Sequence, residues 1–169
     1  MRPTTLLTLP LLLLAASFAT PLPSLAGNKK TAVTVAGPPA ASKAKGAGIV
    51  TFCAKNRGKK VGDGECWALA NEAFKQTGAR RPGSDTRVWG RRLNLKKESL
   101  QPGDILECEQ TRFADGSYVP TKHTAVIVGV RSGLLVRLAE QNFAGKKKVT
   151  ERDVDLNGVR SGRIFVYRP

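Results

Sequence analysis

From Cys66 onward the apolar positions return at Leu69, Ala70, Ala73 and Phe74, the i, i+3, i+4, i+7, i+8 spacing of one face of a helix. Gly78 stands just past the last of them as a natural stop. The spacing predicts a helix that begins at Glu65 and turns Cys66 toward the buried side of its first turn. A shorter helix is predicted over 49–56, where Ile49, Val50, Phe52 and Cys53 recur at helical spacing and Gly58 closes the segment. A basic loop, GKKVGDG, joins the two. Residues 79–100 are polar, basic and broken by Pro82, Gly83 and Gly90, which predicts a loop with one helical turn, anchored by Val88, Trp89 and Leu93. After the turn signal QPGD the pattern becomes strand-like, with strands expected at about 105–108, 118–119, 124–130, 134–140, 148–154 and 163–167. Helices first and antiparallel strands afterwards is an α+β layout.

The chain ahead of these elements reads differently. Arg2 precedes an uncharged, mostly apolar run over 6–19, and Ser24-Leu25-Ala26 has the small-x-small form of a cleavage site, so residues 1–26 read as a signal peptide. The run is short for a bilayer span of roughly 20 residues, and no transmembrane segment is expected in the mature chain, which would be secreted or periplasmic. Residues 27–47 are small, polar and punctuated by Pro and Gly, the composition of a flexible linker. The folded domain is expected to begin near Ile49, spanning about 48–169, and to be a monomer.

Charge narrows the partners. The chain carries 28 Lys+Arg against 13 Asp+Glu, +15 in all, and losing Arg2 with the leader leaves +14. Such a surface attracts polyanions. Export favours wall polymers, anionic lipid headgroups or acidic polysaccharides over nucleic acid, for which the sequence shows no RNP, zinc-finger or helix-turn-helix pattern; a solvated basic surface with no particular partner is the plainer alternative.

Three cysteines, Cys53, Cys66 and Cys108, leave one odd in an exported chain. Pairing Cys53 with Cys108 is the arrangement that frees Cys66; otherwise both are small core residues. A cysteine in the first turn of a helix sits in the positive end of the helix dipole, which favours its thiolate. A nucleophilic thiol also needs a base, and His123 is the one histidine in the chain. Were Ser132-Gly133 a two-residue hairpin loop, Arg131 would pair with Leu134 and His123 would face Asn142, with Glu140 diagonal at roughly 7 to 8 Å. Alternation then puts Glu140 and Asn142 on the face of His123. A slip of one residue would send both to the other face. The set is Cys66 as nucleophile, His123 as general base, and Glu140 or Asn142 as the group that orients the imidazole. Against this stands the ordinary fate of such residues, an inert core cysteine and a surface histidine. Trp67 and Trp89 either flank a substrate groove or pack against the core.

At these residues the sequence resembles the CHAP domains (cysteine, histidine-dependent amidohydrolases/peptidases), relatives of the NlpC-type wall hydrolases. The likeness covers about 49–169 and rests on GDGECWALA around Cys66, LQPGDIL over 100–106, HTAVIVGV from His123 and EQN over 140–142, in that order. It implies a papain-like fold, N-terminal helices packed on an antiparallel sheet or half-barrel. It also implies hydrolysis of amide bonds, most often in peptidoglycan, with Cys66, His123, Glu140 and Asn142 matching the family's site. NlpC-type enzymes commonly add a second histidine, which this chain lacks. Some CHAP domains bind calcium near the nucleophile; Asp63 and Glu65 among Lys59 and Lys60 are too few oxygen ligands for a site of roughly 6 to 8, so no metal and no cofactor are expected. The alternative function is a cationic binding module that keeps the fold without useful catalysis.

Overall fold

The computed structural model describes residues 40–83 and 87–169; the expected leader and the start of the expected linker lie outside them. Two helices, α1 (Ala40–Lys55) and α2 (Cys66–Thr77), precede six strands: β1 (Arg91–Arg92), β2 (Ile105–Phe113), β3 (Lys122–Ser132), β4 (Leu135–Glu140), β5 (Thr150–Asp155) and β6 (Val159–Arg168). The strands form one sheet in the order β1-β6-β2-β3-β4-β5, and every pairing is antiparallel. This is the papain-like α+β arrangement, helices on an antiparallel sheet.

Helix α2 starts and stops where its apolar period says it should. Leu69, Ala70, Ala73 and Phe74 are buried, and Gly78 closes the helix in the left-handed conformation, its N–H turned back toward Phe74. These side chains pack with Ile49 and Cys53 of α1 against Ile105, Val126, Ala139 and Tyr167 on one face of the sheet. The opposite face buries Leu106, Cys108, Ile127, Leu138 and Val166 beneath Leu93 and Leu100 of the loop before β2. Both faces are therefore covered.

Helix α1 corrects the expected linker boundary, because it begins at Ala40 and not near Ile49. Its first turns lack an apolar stripe, which is why the pattern does not betray them; they are fixed by tertiary contact. Ser42 Oγ donates to the carbonyl of Pro169 at 3.0 Å. Gly46 is buried against the Pro102-Gly103 turn, where a Cβ would come within 2.7 Å of the Pro102 carbonyl oxygen. Gly103 faces it with φ 97°, so the close approach needs glycine on both sides. Asp104 completes that turn by accepting from the Gln101 N–H. It also holds the Arg168 guanidinium through both oxygens at 2.9 and 2.8 Å, locking the last strand to the turn.

The remaining differences are local. The loop over 79–100 contains the two-residue strand β1, which pairs with the end of β6, as well as a single turn in which Glu98 N–H bonds to the Asn94 carbonyl. Tyr118 makes only an isolated bridge with Arg112 in place of the expected strand at 118–119. All three cysteines are free. A Cys53 to Cys108 bond is not formed, because the two side chains lie in cores on opposite faces of the sheet.

Candidate active site

Helix α2 carries Cys66 at its first position, and Glu65 before it has extended backbone. The first-turn N–H groups of a helix have no intrahelical acceptor, so this end of α2 offers donors and a partial positive charge. His123 enters from the second residue of β3 and is buried at 6% exposure. Its side chain lines the same two cavities as Cys66, and its Nε2 lies 2.9 Å from Glu140 Oε2. A carboxylate only accepts, so Nε2–H donates to Glu140 and Nδ1 is the nitrogen left for the thiol. Phe143 meets the imidazole edge to face at 5.6 Å.

The expected hairpin geometry holds at the site but not at the turn. Ala125 pairs with Glu140, Val126 with Ala139 and Ile127 with Leu138, which leaves Glu140 diagonal to His123. At the turn, however, Ser132 pairs with Leu135, and Gly133 has φ 53°. Two register shifts on β3, one between Ile127 and Gly129 and one between Val130 and Ser132, bring the strands back to the expected pairing.

The three residues Glu140, Gln141 and Asn142 do three different jobs. Glu140, 1% exposed, orients the imidazole. Its other oxygen accepts from Arg152 Nε at 2.5 Å, and the Arg152 guanidinium lies 4.1 Å from the centre of the Phe143 ring. Arg152 thus supplies the charge that a buried carboxylate requires. Gln141 points to the other side and is fully buried; it accepts from Val61 N–H at 2.8 Å and donates to the carbonyls of Val61 and Glu65 at 3.0 and 2.9 Å. It fastens the loop that delivers Cys66 to the strand that delivers Glu140. Asn142 leaves the strand with φ 59° and donates to Glu65 Oε2 at 2.8 Å. The reading of Asn142 as the group that orients His123 is corrected: β4 ends at Glu140, so Asn142 turns toward the helix start instead.

Electrostatics follow from these contacts. Burial works against the Cys66 thiolate, but the hydrogen bond with His123, the Thr124 backbone N–H and the charge of His123 outweigh it, and the thiol lies below its ordinary pKa. Burial likewise opposes the imidazolium, yet its bonds to Cys66 and Glu140 and their charges raise His123 to about 9. The two shifts together describe a thiolate and imidazolium pair. Behind Thr124, Glu107 is buried and accepts from Thr124 Oγ1 and Trp89 Nε1, both at 2.6 Å. Its carboxyl is raised by burial, partly offset by those two bonds.

Trp89 is therefore not a groove residue. It is fully buried, bonded to Glu107 and set edge-on to Phe74 at 5.3 Å. Trp67, 38% exposed, does border open space: it lines a cavity of about 400 Å³ with Cys66, His123 and Thr124. A second cavity, about 540 Å³, shares Cys66 and His123 but is walled by Tyr118, Pro120, Asn142 and Phe143. The sequence reading missed Glu107, Gln141, Phe143 and Arg152. For Gln141 a signal existed, since alternation sends it to the face opposite Glu140; the others show no pattern of their own.

A helix-borne thiol, a strand-borne imidazole and a buried carboxylate on a papain-like frame define a cysteine-proteinase-fold domain. Residues 39–169 match the AIM3/BBC1 Cysteine proteinase-fold domain, and the chain belongs to that family. It is 27% identical over 143 residues to "Altered inheritance of mitochondria protein 3" of the yeast Debaryomyces hansenii, an alignment covering 72% of this chain and 15% of that protein. The chain thus spans a small part of the length of that relative. Among solved structures, "The crystal structure of Ly7917 with the hydrolyzing product of MDP" superposes with a TM-score of 0.50 at 17% identity, covering 73% of this chain and 62% of that one. "The crystal structure of Ly7917" gives 0.47 at 16% over the same shares.

Proposed function

We propose that this domain hydrolyses an amide or peptide bond through an acyl-thioester on Cys66. The observation that carries the reading is the buried His123 imidazole, bonded to Glu140 and opening onto the same cavities as Cys66. The thiolate attacks the carbonyl carbon, and the N–H of Cys66 at the helix start donates to the oxyanion. Imidazolium Nδ1–H protonates the departing amine. Neutral His123 then takes a proton from water, the hydroxide displaces the thiolate from the acyl group, and a carboxylic acid leaves. Glu140 keeps the ring oriented and balances its positive charge throughout.

The CHAP resemblance suggests a peptidoglycan amide and the leader-like first 26 residues suggest export. The family description and the yeast relative point to no wall polymer, so the bond we assign is one in a polypeptide. Single-turnover assays of a mixed peptide library and of purified muropeptides, with wild type and Cys66→Ala, test the reading. Thiol-dependent cleavage of peptides is the expected result. Cleavage of muropeptides alone would restore the wall substrate, and equal rates for the two proteins on both substrates would leave the cationic binding module.

A further inference from the structure

Two basic runs far apart in the chain, Arg57 to Lys60 and Lys146 to Lys148, are laid side by side. The isolated bridge between Arg57 and Val149 joins them, with Gly58 N–H to the Val149 carbonyl at 2.9 Å and Val149 N–H to the Lys59 carbonyl at 2.8 Å. Val149 is buried in the helix-side core, so the juxtaposition is built into the fold. Side chains of Lys60 and Lys147 both press on Gly64, two residues before Cys66: a Cβ there would lie 3.0 Å from Lys60 Cε and 3.2 Å from Lys147 Cβ.

This ridge is continuous with the cleft. The Asn142 N–H donates to the Lys146 carbonyl at 2.7 Å, and Asn142, Phe143 and Gly145 line the cavity that contains Cys66 and His123. Its charge is only partly compensated. Lys147 is engaged by Glu65 and Arg57 by Glu151, but Lys59, Lys60, Lys146 and Lys148 are exposed and, among the described residues, form no salt bridge. Elsewhere on the sheet, Arg137 meets Asp153, Arg163 meets Glu109 and Arg168 meets Asp104.

We infer that Lys59, Lys60, Lys146 and Lys148 form a docking ridge for an acidic segment of a polypeptide substrate, whose adjoining stretch runs into the cleft beside Asn142 and Phe143. The Asn142 to Lys146 bond ties the ridge to the wall of the cleft, which suits a polypeptide whose adjoining stretch reaches Cys66. The inference rests on the peptide-hydrolase reading above, whose substrate class it narrows. Four exposed lysines on two adjoining segments raise the local concentration of an acidic strand and do so in a salt-dependent way.

The test pairs two peptides that share one cleavable sequence and differ in a flank of four Glu or four Gln. Wild type is expected to show a KM at least tenfold lower for the Glu peptide at low salt, an advantage lost in 1 M salt. The variant with Lys59→Glu, Lys60→Glu, Lys146→Glu and Lys148→Glu should lose that advantage while keeping kcat and its KM for the Gln peptide; the corresponding Lys→Gln variant should fall between. Binding of fluorescent oligoglutamate to Cys66→Ala protein, with and without the ridge substitutions, separates the two hypotheses because it needs no turnover. Ridge-dependent binding without hydrolysis by wild type would sink the hydrolase reading and keep an acidic-segment ridge. Hydrolysis with equal KM for both peptides would overturn the ridge alone, as would ridge-dependent binding to phosphatidylserine vesicles with none to oligoglutamate.

Discussion

Cys66 and Cys108 both border His123, and their chemistry differs completely. Cys108 pairs directly opposite His123 across β2 and β3, yet burial and the charges of Glu140 and Glu107 push its thiol up to about 12. Cys66 comes from another element, the start of α2, shares two cavities with the imidazole, and has its thiol lowered in spite of burial by the interaction with His123. Closeness to a histidine along the sheet is therefore not what makes a thiol reactive. What matters is which ring atom is offered, whether the helix start supplies positive potential, and whether a cavity reaches the sulfur.

The comparison breaks most sharply on substitution of the thiols themselves. Cys66→Ala should remove hydrolysis down to the uncatalysed background in a single-turnover assay. His123→Ala comes next, lowering the rate by about 10²- to 10⁴-fold. Glu140→Gln keeps a hydrogen-bond acceptor but removes the charge beside the ring, and a loss on the order of 10²-fold in kcat is expected, measured against unchanged secondary structure by circular dichroism. Gln141→Ala acts through position: with Val61 N–H left without its buried acceptor, unfolding in urea should show a loss of about 1 to 3 kcal/mol. Cys108→Ala is the smallest, costing about 1 kcal/mol of stability as a small core cavity and leaving the rate per folded molecule as it was.

Much of this site was legible because few residues were eligible. One histidine was eligible as the imidazole, and the apolar period of α2 with Gly78 at its end fixed where Cys66 would stand. The expected pairing of β3 and β4 held at Glu140 because two bulges offset a turn placed one residue away from the expected loop, a compensation that no local pattern announces. Arg152 was invisible for another reason: it reaches Glu140 diagonally from β5, and only the Leu138 to Arg152 pairing reveals that neighbour. Trp89 and the first turns of α1 are held by tertiary partners, Glu107 and the Pro102-Gly103 turn, that lie far along the chain.

If Cys66 is a thiolate stabilised by His123, its alkylation rate against pH reads that state. With iodoacetamide and peptide mass analysis, Cys66 should react with a midpoint below the ordinary thiol value of about 8.5, while Cys53 and Cys108, each pushed up to about 12, stay unmodified in the folded protein. Hydrolysis needs both members charged, so its rate should rise through the lowered Cys66 value and fall as His123 deprotonates near 9. In His123→Ala the alkylation midpoint should return toward about 8.5. A wild-type Cys66 that titrates like a free thiol, with no change on removing the imidazole, would mean that the two groups do not form a thiolate and imidazolium pair.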